Sequence, residues 1–213
     1  MNLAQRTRRR RNAQWFYDRG QQLYEAGRYR KAAKRFARSI RRSPAWPIAH
    51  AGRGLSLVQV RRTQRAVRNL ERAMALAAER GRFDGPEWLA NAAYESGRTY
   101  ERLGQPYMAL RCYTKAVALT EDGNVLPAHE ILRRRGRVYL ELGQLTRALG
   151  DLNRAVALAP DNILARFDRA WAHIHLDNVP AAVEDLEAYV GLTDPTNVRR
   201  AEAQSLLDEL IAD

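Results

Sequence analysis

Along residues 132–160, LRRRGRVYLELGQLTRALGDLNRAVALAP, apolar residues return every three or four positions on either side of a break at Leu142-Gly143-Gln144. That spacing lays them on one stripe of a helix, so the stretch predicts two amphipathic helices joined by a tight turn. Moving forward by 34 residues brings back the same skeleton. Gly136 becomes Ala170, Ala148 becomes Ala182, Leu152 becomes Leu186, and Pro160 gives way to Asp194 with Pro195 behind it. A fixed period of this length predicts helical hairpins stacked in series.

The period divides the chain into five spans, 13–46, 47–80, 90–123, 129–162 and 163–196. A small residue on each first helix (Gly20, Gly54, Gly97, Gly136, Ala170) is followed twelve positions later by an alanine on the second (Ala32, Ala66, Ala109, Ala148, Ala182). Antiparallel helices approach closely where side chains are small, so these pairs are expected to meet. Larger residues such as Phe36, Tyr100, Tyr139 and Leu152 then fill the remaining space. The second turn, Arg61-Arg62-Thr63, lacks the glycine found in the first, third and fourth. Two insertions, 81–89 and 124–128, interrupt the period. In the first, Asp84 reads as a helix cap and Pro86 as an early helix position; in the second, Pro127 reads as a helix start. Residues 1–12 read as a basic, flexible arm held outside the first helix, because arginines at a helix N-terminus oppose its macrodipole. Residues 197–213 read as a closing helix and tail, with Ala201, Leu206, Leu207 and Leu210 on its inner side.

The fourth span carries Leu132, Gly136, Tyr139, Ala148, Leu152 and Pro160 at the places of W-x2-L-G-x2-Y…A-x3-F…P, with Leu for the Trp and for the Phe. The chain from 13 to 196 therefore resembles the tetratricopeptide repeat. The resemblance implies an all-α, right-handed solenoid of five helix-turn-helix repeats with a C-terminal capping helix. It also implies a concave groove lined by the first helices, and a non-enzymatic scaffold that binds another protein. On that arrangement Arg98, Arg102, Arg133, Arg134 and Arg137 come together in the groove of the third to fifth repeats and grip an acidic segment. Phe167 and Trp171 would seat an apolar or aromatic side chain. The competing readings are local ion pairs (Glu95 with Arg98, Glu130 with Arg134, Glu141 with Arg137) and packing of Phe167 and Trp171 against the cap. The carboxylate clamp of chaperone-binding family members falls on Tyr94, Arg98, Arg134, Leu164 and Asp168, or on Tyr17, Gln21, Gly52, Asn91 and Glu95. Neither set matches, so chaperone C-termini are not the expected partner.

Charge adds a second surface. The net charge is +12, and residues 1–80 hold 21 Lys+Arg against 4 Asp+Glu, while 81–213 hold 15 against 20. Nearly all the cations are arginine, a bias that a GC-rich genome would also produce. Lys31, Lys34, Arg35, Arg38 and Arg42 form one helical stripe, and Arg61, Arg65, Arg68 and Arg72 another. These are expected side by side on the outer face, joined by Arg8, Arg9, Arg10 and Arg11 of the arm. The alternative function is then sequence-tolerant RNA or DNA binding through phosphates. A third is self-association through the insertions.

Candidate chemistry is sparse. His173 and His175 are two apart and point to different helix faces. Cys112 has no paired His. Gly52-Arg53-Gly54 lies inside a helix that no strand precedes, so it is not a dinucleotide loop. No metal, cofactor or oligomeric state is implied. No apolar run reaches the ~18 residues that span a bilayer, and no apolar segment follows the arginine cluster as an export signal requires. With a single cysteine, these features make a cytoplasmic protein the expectation.

Overall fold

The computed structural model describes the backbone of residues 3–80, 86–120 and 127–212, and side chains within 11–79, 89–120 and 127–212. Among the described residues there are eleven helices and no strand. They are α1 Leu3–Glu25, α2 Tyr29–Arg42, α3 Pro47–Gln59, α4 Thr63–Arg80, α5 Pro86–Arg102, α6 Pro106–Thr120, α7 Ala128–Glu141, α8 Leu145–Leu158, α9 Ile163–His175, α10 Val179–Leu192 and α11 Val198–Ala212. The chain divides into two compact units, Met1–Leu126 and Pro127–Asp213. The first holds α1 to α6 and the second α7 to α11.

Within each unit every helix packs on its successor, from α1 through α6 or from α7 through α11, α5 and α6 pairing as the other hairpins do. The first helices of neighbouring hairpins also touch one another: α1 with α3, α3 with α5, and α7 with α9. Among the described residues no two second helices pack on each other to a comparable extent. Each unit therefore bends with its first helices on the inner side, the all-α solenoid geometry of a stacked repeat.

What lets the hairpins close differs from the expected meeting of small residues. A Cβ built on Gly20 would lie 2.9 Å from the Phe36 ring, one on Gly54 2.5 Å from Leu70, one on Gly97 2.5 Å from Tyr113 and one on Gly136 2.8 Å from Leu152. In each case the nearest atoms belong to the large residue sixteen positions on, one helical turn past the alanine. The alanines are fully buried and let the helices draw near; the glycine then receives the ring or branched chain. Gly52 adds a second layer, since its Cβ would stand 2.7 Å from the same Phe36 ring. Gly52 and Gly54 thus face different helices, Gly52 the preceding hairpin and Gly54 its own, which explains two glycines so close together inside a helix.

The turns follow glycine where it is present. Gly27, Gly104 and Gly143 have φ of +69°, +63° and +68°. Arg61 and Asp177 take the same place without glycine, each at φ +57°, where a Cβ crowds the backbone.

One boundary shifts, and one buried stripe. The first helix begins at Leu3, so the backbone of residues 3–12 belongs to α1 and is not an arm outside it. Leu, Ala, Gln and Arg are good helix formers, and the macrodipole penalty fades within a turn of Leu3. Helix α5 starts at Pro86 and α7 directly after Pro127, as the prolines predict; Asp84 and most of both insertions lie outside the described residues. On α11 the buried stripe is Ala203 and Leu207, with Leu206 and Leu210 packed beside them against Phe167 and Tyr189. Ala201 is exposed instead.

Two stability outcomes are expected. Gly54→Ala should cost ~1–3 kcal/mol by overpacking against Leu70, read as a lower urea midpoint at unchanged helicity. Arg61→Gly should raise stability by ~0.5–1 kcal/mol by relieving left-handed strain, read as a higher midpoint.

Candidate functional site

The inner side of the second unit is built by α7 and α9. Arg133 is buried, 3 % exposed. It donates from Nε and Nη2 to Glu130, at 2.9 and 3.0 Å, and from Nη1 to Asp168 of α9 at 2.7 Å. Arg134 donates to the same Glu130 at 2.8 Å. Arg137 stands 3.7 Å from Asp168 and is 42 % exposed. Burial opposes the charge of all three buried members. It is outweighed at Arg133, which Glu130 and Asp168 hold above its ordinary pKa, and at Glu130, which Arg133 and Arg134 hold below its own. It wins at Asp168, whose carboxyl stays above the usual range even beside Arg133 and Arg137. Asp168 therefore carries the desolvation cost of the network. The sequence reading paired Arg137 with Glu141; its observed partner is Asp168, on the next hairpin.

Phe167 is buried against the Tyr189 ring, centroids 4.8 Å apart, in the cluster closed by α11. It belongs to the core. Trp171 is only half-buried: it packs at the edge of that cluster and lies 5.7 Å from the His175 ring. Three residues separate Trp171 from Asp168, which places both on one face of α9.

The first unit holds the remaining residues of interest. On α5, Arg98 donates to Glu95 at 2.8 Å and lies 5.7 Å from the Tyr94 ring. Arg102 is exposed in the last turn, where a cation suits the helix dipole. The two basic stripes are not side by side: α3 packs between α2 and α4. The α2 stripe turns toward α1. Arg42 sits 4.6 Å from the Phe16 ring, Arg38 5.9 Å from the same ring, and Arg35 5.8 Å from that of Trp15. Lys31, Lys34, Arg35 and Arg38 line a cavity with Arg19 and Arg28. The α4 stripe contains Arg65, Arg68 and Arg72, all exposed. Arg61 precedes α4, in the left-handed turn, and so is not part of that stripe. Partial burial, with Arg65 and Arg41 nearby, pushes the Arg53 guanidinium below its ordinary pKa, which marks a second gathering of cations. Of the N-terminal arginines, Arg11 is exposed, while the side chains of Arg8, Arg9 and Arg10 lie outside the described residues.

Sequence reading missed the most regular polar contact. Arg135 makes a two-pronged bond to Asp151 at 2.6 and 2.8 Å, and Arg169 one to Asp185 at 2.7 and 2.7 Å. Both pairs are sixteen apart, and the two sets are 34 apart. The signal was present as Arg at the seventh place of a repeat and Asp at the twenty-third.

Comparison with known proteins bears on the same helices. The tetratricopeptide repeat model matches residues 17–80 and 94–163, and a second model of the same description matches 147–208. The chain belongs to the tetratricopeptide repeat family. Solved structures agree on the fold. YrrB, described as a tetratricopeptide repeat protein with an unusual peptide-binding site, superposes with a TM-score of 0.74 at 18 % identity, covering 89 % of this chain and 90 % of that one. MamA (residues 41 to the end) from Desulfovibrio magneticus RS-1 gives 0.69 at 19 % identity, covering 85 % and 94 %. The first tetratricopeptide repeat domain of Spaghetti (RPAP3), bound to the HSP90 peptide SRMEEVD, gives 0.51 at 27 % identity, covering 58 % and 93 %. No curated protein sequence matches the chain.

In this tetratricopeptide repeat chain Cys112 and His173 belong to the core, and His175 is exposed. Cys112 is buried, and burial pushes its thiol up to about 11, so it stays protonated at neutral pH. His173 is buried in its repeat's tyrosine place, with its pKa lowered by that burial. His175 uses Nδ1 on the Trp171 carbonyl, 2.8 Å away. Among the described residues no group of three or more His, Cys, Asp or Glu is placed to hold a metal ion, and no helix is long and apolar enough to cross a membrane.

The network predicts unequal arginines. Arg133→Gln strands Asp168 in the interior and should cost ~3 kcal/mol, whereas Arg137→Gln should cost less than ~1 kcal/mol. Equilibrium urea unfolding of the two variants measures the difference.

Proposed function

We propose that the chain is a non-enzymatic protein-interaction scaffold that receives an acidic, aromatic-containing segment of a partner on the α7–α9 face. One observation carries this reading. Arg133, Arg134 and Arg137 gather around Glu130 and Asp168 there, and Arg199 of α11 adds a positive field at Asp168. Of these three arginines Arg137 is the least engaged, half open to solvent and at the longest distance from its partner. It can swing to an incoming carboxylate at little cost to the fold. Trp171, on the Asp168 face of α9, offers an apolar surface beside the charge.

The roles within the site divide accordingly. Arg133 holds α7 to α9, Arg137 and Arg134 bind the segment, Trp171 packs on its aromatic residue, and Phe167 supports the wall from behind. Arg98 and Arg102 supply cations on the inner side of the first unit. The relatives support a peptide partner: one is described by its peptide-binding site, and another holds a peptide ending in Glu-Glu-Val-Asp. Two or three charge-assisted contacts of ~1.5–3 kcal/mol each, less the ordering cost, support an affinity near ~1 μM.

Fluorescence polarisation with labelled octapeptides tests the reading. Peptides combining Asp or Glu with Phe, Tyr or Trp should bind, and Arg137→Glu should weaken them by ~10-fold or more, about the worth of one charge-assisted contact. Equal binding of peptides whose acids are replaced by amides would sink it.

A further inference from the structure

The Arg–Asp pairs of the second unit define two repeat places, the seventh and the twenty-third. In the fourth and fifth repeats they hold Arg135 with Asp151 and Arg169 with Asp185. The second repeat holds Arg53 and Asn69, and the first holds Arg19 and Arg35. The cation is retained while the carboxylate is replaced, and in the first repeat it is replaced by a second cation. Around that place the structure forms a cavity of about 280 Å³ between α1 and α2, lined by Arg19, Arg28, Lys31, Lys34, Arg35 and Arg38 with Leu23 at its base. No acidic residue lines it. The two acids of α1 are engaged elsewhere, Asp18 accepting from Gln14 and Glu25 from Gln21.

We propose that this cavity binds a phosphate oxyanion, which takes the place that the Asp carboxylate takes in the fourth and fifth repeats. Six converging cations exceed what one carboxylate neutralises, whereas a phosphate brings up to two charges and three acceptor oxygens. Trp15 is 57 % exposed, with the Arg35 guanidinium 5.8 Å from its ring, and the edge-on Phe16 ring is 4.9 Å away. An open indole beside a phosphate site is a surface on which a base stacks. The phosphate therefore comes either from a single-stranded nucleic acid or from a free phosphate ester, and the site chemistry is shared.

Calorimetry at ~20 mM salt, where phosphate contacts are strong, with inorganic pyrophosphate and a twelve-nucleotide single strand tests the proposal on the full chain. Both probes should bind saturably. Arg35→Asp installs the carboxylate of the later repeats. It should weaken both probes by ~10-fold or more while raising the melting temperature, because Arg19, which donates to Gln22, gains an internal carboxylate. Lys31→Gln with Lys34→Gln, at exposed positions, should weaken both probes by a few fold with the melting temperature unchanged. Arg147→Asp, an exposed arginine of the second unit, makes the same change in net charge and should leave both affinities within about two-fold. Tighter binding of the strand than of pyrophosphate assigns the phosphate to nucleic acid; equal affinity assigns it to a small ester. Absence of binding, equal losses in Arg35→Asp and Arg147→Asp, or tighter binding of a glutamate octapeptide than of either probe would overturn the site.

Discussion

The hairpins depend on one steric fit. A glycine on the first helix leaves a depression, and the large residue sixteen positions later fills it. The distances from a hypothetical Cβ to Phe36, Leu70, Tyr113 and Leu152 lie between 2.5 and 2.9 Å, shorter than any real contact, so each depression is already occupied. Close packing of this kind transmits strain and fixes geometry. Phe36 shows how the fit propagates: it is received by Gly20 of its own hairpin and by Gly52 of the next. One side chain thereby sets both the closure of a hairpin and the seating of its neighbour.

Polar contacts are laid over this frame and do not create it. Arg133 with Asp168, Arg135 with Asp151 and Arg169 with Asp185 all tie one helix to another within the second unit. Such pairs stabilise weakly in net terms because their desolvation costs are large; what they fix is register. Asp168 makes that balance visible, since burial holds its carboxyl above the usual range despite Arg133 and Arg137. The same pairs also consume cations, so those that remain half-engaged, Arg137 above all, stand out as the ones able to meet another molecule.

Much of the fold was legible because it repeats. The 34-residue period, the hairpin turns, the early starts at Pro86 and Pro127, and the closing helix all follow from spacing and local propensity. The partner of the glycine was not, since periodicity marks which positions matter but not which of two nearby residues enters the depression. The start of α1 was misplaced because a run of arginines was weighed by its charge and not by its helix propensity. The candidate site was harder to read. Arg133 and Arg137 are four apart on one helix, yet one is buried and the other open; both meet Asp168 of the next hairpin, at 2.7 and 3.7 Å, a contact that spacing along α7 does not reveal. Likewise, the two basic stripes are identical in kind by sequence, and only the aromatic residues of α1 distinguish the surface of α2 from that of α4.

Because the steric frame and the polar overlay use different positions, the overlay can change without loss of the fold. The seventh and twenty-third places of a repeat lie beside the glycine and the large residue but do not fill the depression. A repeat with Arg and Asp there neutralises itself and gains register. A repeat with Arg and Arg there keeps the same backbone and acquires a field. Among the described residues of this basic part, cations gather where Arg19 faces those of α2 and where Arg53 meets Arg41 and Arg65. Repulsion within such a cluster is relieved only by salt or by a bound anion, so a repeat of this composition gains stability from a ligand that its self-neutralised counterparts have no use for.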